Sequence, residues 1–198
     1  MITGLAARYR DYRLFHTDIA AQPSVDPTRI VIAGASAGGL AAALAIRARD
    51  TGPVQPILQL LLYPMLDDRP APTTGPYRVW GPRSNAFAWN SYLHGTAPAL
   101  AVPARHHDLN ALAPAWIAVG THDILYRQDL DYHHALTAAG TPSTLTTLDG
   151  AFHGFDTIAP RTALARRLRA WFYRLSVTSL IGECWRRSGS GDVRIGEF

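Results

Sequence analysis

A serine, an aspartate and a histidine stand out in this sequence, because each falls where alternating strands and helices would present a reactive side chain. Ser36 is the centre of Gly34-Ala35-Ser36-Ala37-Gly38. The short β-branched run from Ile30 to Ala33 predicts a buried strand, and the Ala- and Leu-rich stretch from Leu40 predicts a helix. A strand, a G-x-S-x-G turn and a helix together form a nucleophile elbow, which holds a serine hydroxyl above the end of a sheet. Side chains at positions 34 and 38 would collide as strand and helix fold close together, so glycine suits both. The helix N-terminus aimed at the serine favours negative charge beside it. The competing reading is a Gly/Ala-rich turn with an incidental serine; the flanking strand and helix favour the elbow.

A serine hydroxyl becomes a useful nucleophile when a base removes its proton and a third group orients that base. Open α/β sheets place such groups beyond the carboxyl ends of their strands. Asp123 follows a predicted strand from Ala115 to Gly120, and His153 follows another from Ser143 to Leu148. Asp123 also suits a helix cap, and Asp129 and Asp131 compete for the orienting role. His153 is one of eight histidines, any of which is more commonly a packed or exposed residue. His122, the pair His106-His107 and the pair His133-His134 lack carboxylate or cysteine partners at recognised ligand spacing, so no metal site is expected.

The remaining elements follow from periodicity and punctuation. Tyr12, Phe15 and Ile19 recur at helical spacing between Arg8 and Ala21, Pro23 ends that helix, and Asp26-Pro27 turns the chain into the first strand. The helix after the elbow is expected from Gly39 to about Arg49, stopped by Gly52-Pro53. Ile57 to Tyr63 is apolar without alternation, as a parallel strand covered on both faces requires. Residues 69–114 are rich in Pro, Gly and aromatic residues, with one helix expected around Ala86 to Leu93. Tyr63, Trp80, Phe87, Trp89 and Tyr92 are candidates for the wall of an apolar substrate cavity; the alternative is packing on the core. A helix from Asp129 to Ala139 is closed by Gly140, and Pro160 to Leu175 is amphipathic. Strands alternating with helices predict a parallel α/β sheet. The expected organisation is one partial domain over residues 1–175 and a basic, Gly/Ser-rich, poorly ordered tail over 176–198.

With 198 residues, 47% hydrophobic and 17% charged, the chain suits one folded domain instead of a disordered segment. Its formal charge is +4 and every basic residue outside histidine is arginine. No Arg/aromatic stripe or nucleic-acid motif accompanies that surplus, so no nucleic-acid partner is expected. Nor is a membrane partner, because no apolar run approaches about 18 residues. The start lacks the apolar core of a signal peptide, and the single cysteine, Cys184, fits a reducing compartment, so the expected location is cytoplasmic.

Several pieces in order give the chain a specific resemblance. Val25-Asp26-Pro27-Thr28-Arg29-Ile30, the elbow Gly34-Ala35-Ser36-Ala37-Gly38-Gly39, Tyr63-Pro64, Gly120-Thr121-His122-Asp123-Ile124-Leu125 and His153-Gly154-Phe155 span most of residues 24–175. Together they resemble the hormone-sensitive-lipase-like esterases of the α/β-hydrolase fold, in which the triad runs Ser, Asp, His along the chain. Ala35 stands where that family often has an acidic residue. The resemblance implies Ser36 as nucleophile, His153 as base and then acid, Asp123 as orienter and the Ala37 amide as oxyanion donor. It implies hydrolysis of a small-molecule carboxylic ester through an acyl-enzyme, with no cofactor. One departure matters: no His-Gly-Gly-Gly-like run precedes Gly34, and the upstream part is too short for the family's first strands and cap helices. The chain therefore resembles the carboxyl-terminal half of the sheet, with an open edge beside the elbow strand for pairing with another copy or chain. Two other readings remain: a non-catalytic remnant serving as a binding or assembly module, and a serine peptidase or amidase on the same fold.

Overall fold

Long apolar runs set the centre of this protein. The structure, a computed structural model, describes residues 22–180 except 53, 72, 73 and 76, together with 193–195. The helix expected between Arg8 and Ala21 lies outside the described residues. Five strands lie side by side in chain order: β1 (Val31–Ala35), β2 (Leu58–Leu62), β3 (Ala115–Gly120), β4 (Ser143–Leu148) and β5 (Val193–Ile195). All four pairings are parallel, with Ala33 opposite Leu60, Leu60 opposite Trp116 and Ile117 opposite Leu145. Every residue of β2 and β3 is buried, as their largely apolar sequence predicts; the one polar residue, Gln59, donates its side-chain amide to the Ala113 carbonyl at 2.7 Å. β4 is Ser-Thr-Leu-Thr-Thr-Leu, and Trp116 on β3 donates its indole N–H to the Thr146 hydroxyl at 2.9 Å. That bond satisfies two buried polar groups inside the sheet.

Helix α1 (Gly38–Thr51) packs on β1 and β2 through Ala41, Ala42, Ala45 and Ile46, side chains small enough to let the helix lie close. It ends where expected, with the Gly52 amide donating to the Ala48 carbonyl at 2.9 Å. After β2 come α2 (Pro82–Leu93), α3 (Pro98–Ala101) and a 3₁₀ turn, Pro103–Arg105. α2 begins four residues before its expected start. Pro82 occupies the first helical position, where its missing N–H is not needed. Helix α4 (Tyr126–Ala138) packs on β3 and β4, and α5 (Phe155–Ile158) follows β4. Helix α6 (Ala163–Leu180) covers β1 and β2 with Ala165 and Leu168 buried.

Two elements differ from the sequence expectation at the carboxyl end. α6 runs past 175 to Leu180, and Val193–Ile195, inside the stretch expected to lack order, pair with β4. A three-residue strand in a Gly- and Ser-rich setting carries no periodic signal, and only the open edge of β4 provides its partner. At the opposite end of the sheet, β1 has one free edge among the described residues, and Ala33 and Ala35 are exposed.

Candidate active site

The site is built at the carboxyl ends of β1, β2, β3 and β4. Ser36 follows β1 with φ of 58°, a left-handed backbone that costs an L-residue energy and persists only when its surroundings hold it. The hold is visible. Its N–H donates to the Leu62 carbonyl at 3.0 Å, and its own carbonyl accepts from the Met65 N–H at 2.8 Å. A Cβ at Gly34 would lie 2.8 Å from Gly38 Cα, the strand–helix collision foreseen for that position. At Gly38 the obstacle is instead Pro64 Cβ, 2.9 Å away on the segment after β2. The tightest position was not foreseen: a Cβ at Gly39 would sit 1.6 Å from the Met65 carbonyl oxygen.

The structure brings the three predicted reactive residues together. His153 Nε2 accepts from the Ser36 hydroxyl at 2.9 Å, and His153 Nδ1–H donates to Asp123 Oδ2 at 2.9 Å. The Asp123 side chain is fully buried and that of His153 is 6% exposed, so water does not compete for the bond between them, whereas the Ser36–His153 bond is only partly buried where the cavity opens. Asp123 Oδ1 also accepts the Leu125 N–H at 2.9 Å, a turn just ahead of α4 and not the helix cap that was the alternative role, since the N-cap position is Leu125 and no side chain caps it. The loops carrying the two residues are drawn together by the His122 N–H donating to the Ala151 carbonyl at 3.0 Å. Gly120 permits that approach, since a Cβ there would lie 2.1 Å from the Ala151 oxygen.

The competing carboxylates go elsewhere. Asp131 is exposed and pairs with Arg127. Asp129 is completely buried on α4, and among the described residues neither of its carboxylate oxygens has a hydrogen-bond partner; the imidazole N–H goes to Asp123 instead. Burial, aided by the charge of Asp123, pushes its carboxyl well above the usual carboxylate range. Among the described residues no group of three His, Cys, Asp or Glu side chains is placed to hold a metal ion. His133 instead ties α4 to β4 through the Ser143 hydroxyl at 2.9 Å.

An apolar cavity of about 230 Å³ opens on Ser36 and Ala37, walled by Leu40, Met65, Trp80, Ala88, Trp89 and Tyr92. Three of the aromatic candidates therefore reach it, and two do not. Phe87 is 62% exposed, because the inward stripe of α2 is Asn85, Ala88, Trp89 and Tyr92 and Phe87 falls on the opposite side. Tyr63 is buried outside the cavity lining, with its ring edge-on to the His153 imidazole at 4.8 Å and 65°. Trp80 does both, walling the cavity and stacking on His153 with centroids 5.5 Å apart. Sequence reasoning missed two further contacts. Tyr63 donates its hydroxyl to Asp156 Oδ1 at 2.7 Å, and Gln128 Oε1 accepts from the Leu66 and Asp67 amides at 2.9 and 2.6 Å. No spacing signal links those positions.

A parallel sheet, a strained serine at a strand–helix turn and a Ser–His–Asp relay define the α/β hydrolases. The chain belongs to that family: residues 5–157 match the alpha/beta hydrolase fold, and its relatives place it among the hormone-sensitive-lipase-like esterases. It is 35% identical to esterase LipI of Mycobacterium tuberculosis over 144 residues, which are 68% of this chain and 45% of that protein. It is 33% identical to carboxylesterase NlhH of the same species over 154 residues, 71% of this chain and 47% of the relative. Among solved structures, a bacterial heroin esterase superposes with a TM-score of 0.77 at 30% identity, covering 87% of this chain and 58% of that one. Esterase LipW of Mycobacterium marinum gives 0.75 at 30%, covering 83% and 54%. The chain thus spans about half the length of the curated relatives it matches.

Proposed function

We propose that this protein hydrolyses short-chain apolar carboxylic esters through a Ser36 acyl-enzyme. One observation carries the reading: two 2.9 Å hydrogen bonds, one partly and one fully buried, that run from Ser36 through His153 to Asp123 at the mouth of an apolar cavity. As Ser36 Oγ attacks the ester carbonyl carbon, its proton passes to His153 Nε2. Asp123 holds the imidazole in the tautomer with Nδ1 protonated and stabilises the imidazolium that forms. The Ala37 amide donates to the developing oxyanion at the N-terminus of α1. Collapse of the tetrahedral intermediate breaks the ester C–O bond, and His153 returns the proton to the leaving alcohol. Water, deprotonated by the same imidazole, then attacks the acyl carbon and frees Ser36. No step requires a cofactor. The acyl chain lies among Leu40, Met65, Trp80 and Trp89, which offer it apolar contact and no charge. A single cysteine fits action in the cytoplasm.

A second reading rests on the edge of β1 that is free among the described residues. There the chain would act as an assembly module, pairing through that strand without turnover. Treatment with a fluorophosphonate separates the two. Labelling confined to Ser36, lost together with p-nitrophenyl acetate hydrolysis in Ser36→Ala, supports the hydrolase. Hydrolysis that persists in purified Ser36→Ala protein would sink the triad assignment. An amide substrate in the same assay tests the peptidase alternative.

A further inference from the structure

The imidazole of a triad must be held in position as well as hydrogen-bonded, and the chain around His153 is poorly suited to hold it. Gly150 and Gly154 flank it with φ of 68° each, and glycine backbones are the freest to move. His153 also sits outside regular structure, between the end of β4 and the four-residue α5. Besides its two polar bonds, the stacked Trp80 and the Ala151 tie to His122, an anchor on the carboxyl side of His153 would fix the ring.

Tyr63 is built to do so. It lies just past β2 with φ of 34°, a conformation that a bulky residue adopts only under constraint. Its N–H donates to the Ala118 carbonyl at 2.6 Å, continuing the sheet ladder, and its ring meets the imidazole edge-on at 4.8 Å. Its hydroxyl reaches Asp156 Oδ1 at 2.7 Å, across 93 residues of sequence and only three residues beyond His153. Burial and the Asp156 carboxylate push the hydroxyl well above the usual range of a tyrosine, so it remains a donor throughout neutral pH.

We propose that Tyr63 and Asp156 form a bolt that fixes the His153 loop to the end of β2, making Tyr63 a positioning residue for the triad base. The inference rests on the hydrolase reading above for its effect on turnover, though not for its effect on the imidazole. Strain at Tyr63 is the local cost of directing its ring at His153 and its hydroxyl at Asp156 at once.

The test uses the full chain and four variants: Tyr63→Phe, Asp156→Ala, their combination, and Asp156→Asn. Tyr63 stands outside the cavity wall, so kcat should fall about tenfold in Tyr63→Phe and in Asp156→Ala with KM unchanged, the effect expected from one hydrogen bond. The double variant should be no worse than either single one, because both remove the same bond. Asp156→Asn should recover most of the rate, since its carboxamide oxygen still accepts. A readout that needs no turnover is the low-field proton resonance of His153 Nδ1–H. It should be present in the unmodified chain and in Asp156→Asn, and broadened or lost in Tyr63→Phe and Asp156→Ala. An unchanged resonance in those two variants overturns the bolt, as does a rise in KM at constant kcat or an additive double variant. If Ser36 resists fluorophosphonate in the unmodified chain while the resonance still vanishes in the variants, the hydrolase reading falls and the bolt stands. If Tyr63→Phe does not fold, the Asp156→Ala and Asp156→Asn pair decides alone.

Discussion

At the scale of single residues, two buried aspartates lie within one short stretch and have opposite environments. Asp123 receives a backbone amide and an imidazole N–H, whereas the Asp129 carboxylate receives no hydrogen bond from the described residues. Asp123→Asn should therefore reduce turnover by about 10⁴, by leaving the imidazole in the wrong tautomer, while Asp129→Asn changes turnover little. Steady-state rates of the two folded variants check this; a larger loss in Asp129→Asn would reverse the assignment. Asp129 should show itself in stability instead. Its carboxyl is raised in the folded chain, so the folded state keeps a proton that the unfolded chain loses above about pH 4. Its contribution is fully present below that unfolded value and is lost as pH rises toward the folded one. Melting temperatures from pH 4 to 8 should thus fall less steeply with rising pH in Asp129→Asn, with the variant gaining most at the upper end. Parallel melting curves would show that Asp129 does not couple to folding in this way.

Elements transmit constraints that no residue carries alone. The elbow works because β1 and the start of α1 approach the segment after β2 so closely that Gly39 abuts the Met65 carbonyl. Gly39→Ala must push that backbone away, and with it the Ser36 carbonyl bonded to the Met65 amide. Circular dichroism melts should show destabilisation of roughly 2 kcal/mol or more, the size expected of a forced core displacement, with slower Ser36 labelling. A variant that melts and labels like the parent would mean the contact relaxes freely. The phase of α2 decides acyl preference by the same logic. Trp89→Ala should shift the preferred chain length, since one methylene in such a pocket is worth about 1–3 kcal/mol, whereas Phe87→Ala should leave the profile in place. Rates across acetyl to octanoyl esters distinguish them.

At the scale of the whole molecule, the elbow strand is also the sheet's free edge among the described residues. A strand with unpaired N–H and C=O groups is a template for another chain. The protein on its own should accordingly associate at micromolar concentration, which light scattering would detect; a monomer over that range would show the edge to be protected. Fusing the amino-terminal half of a relative such as carboxylesterase NlhH ahead of residue 22 should cover that edge. It should also raise turnover, by about 10²–10³ if it brings a second oxyanion donor to partner the Ala37 amide. Turnover and melting temperature unchanged by the fusion would mean that the elbow needs neither.

Local chemistry made part of this protein readable from its amino acids. β3 and β4 span the residues expected of them, because an unbroken apolar run or a Thr/Leu pattern between turn residues has few other uses. Ser36, Asp123 and His153 were legible because a strand-ended sheet restricts reactive groups to the loops beyond its carboxyl edge. Residues 34 and 38 announced the elbow through their composition. What sequence alone left open was anything set by relative orientation. Phe87 and Trp89 are equally aromatic and lie on opposite sides of α2, and only how that helix packs decides which faces the cavity. Asp123 and Asp129 are equally acidic, and only the folded helix buries one without partners while the other meets an imidazole thirty residues on. Tyr63 belongs to Tyr63-Pro64 and Asp156 follows His153-Gly154-Phe155, 93 residues on, and their bond exists only because parallel β2, β3 and β4 bring those strand ends together. Periodicity and turn residues act over a few positions, so they determine elements; distances between side chains depend on how elements pack, which no local pattern encodes.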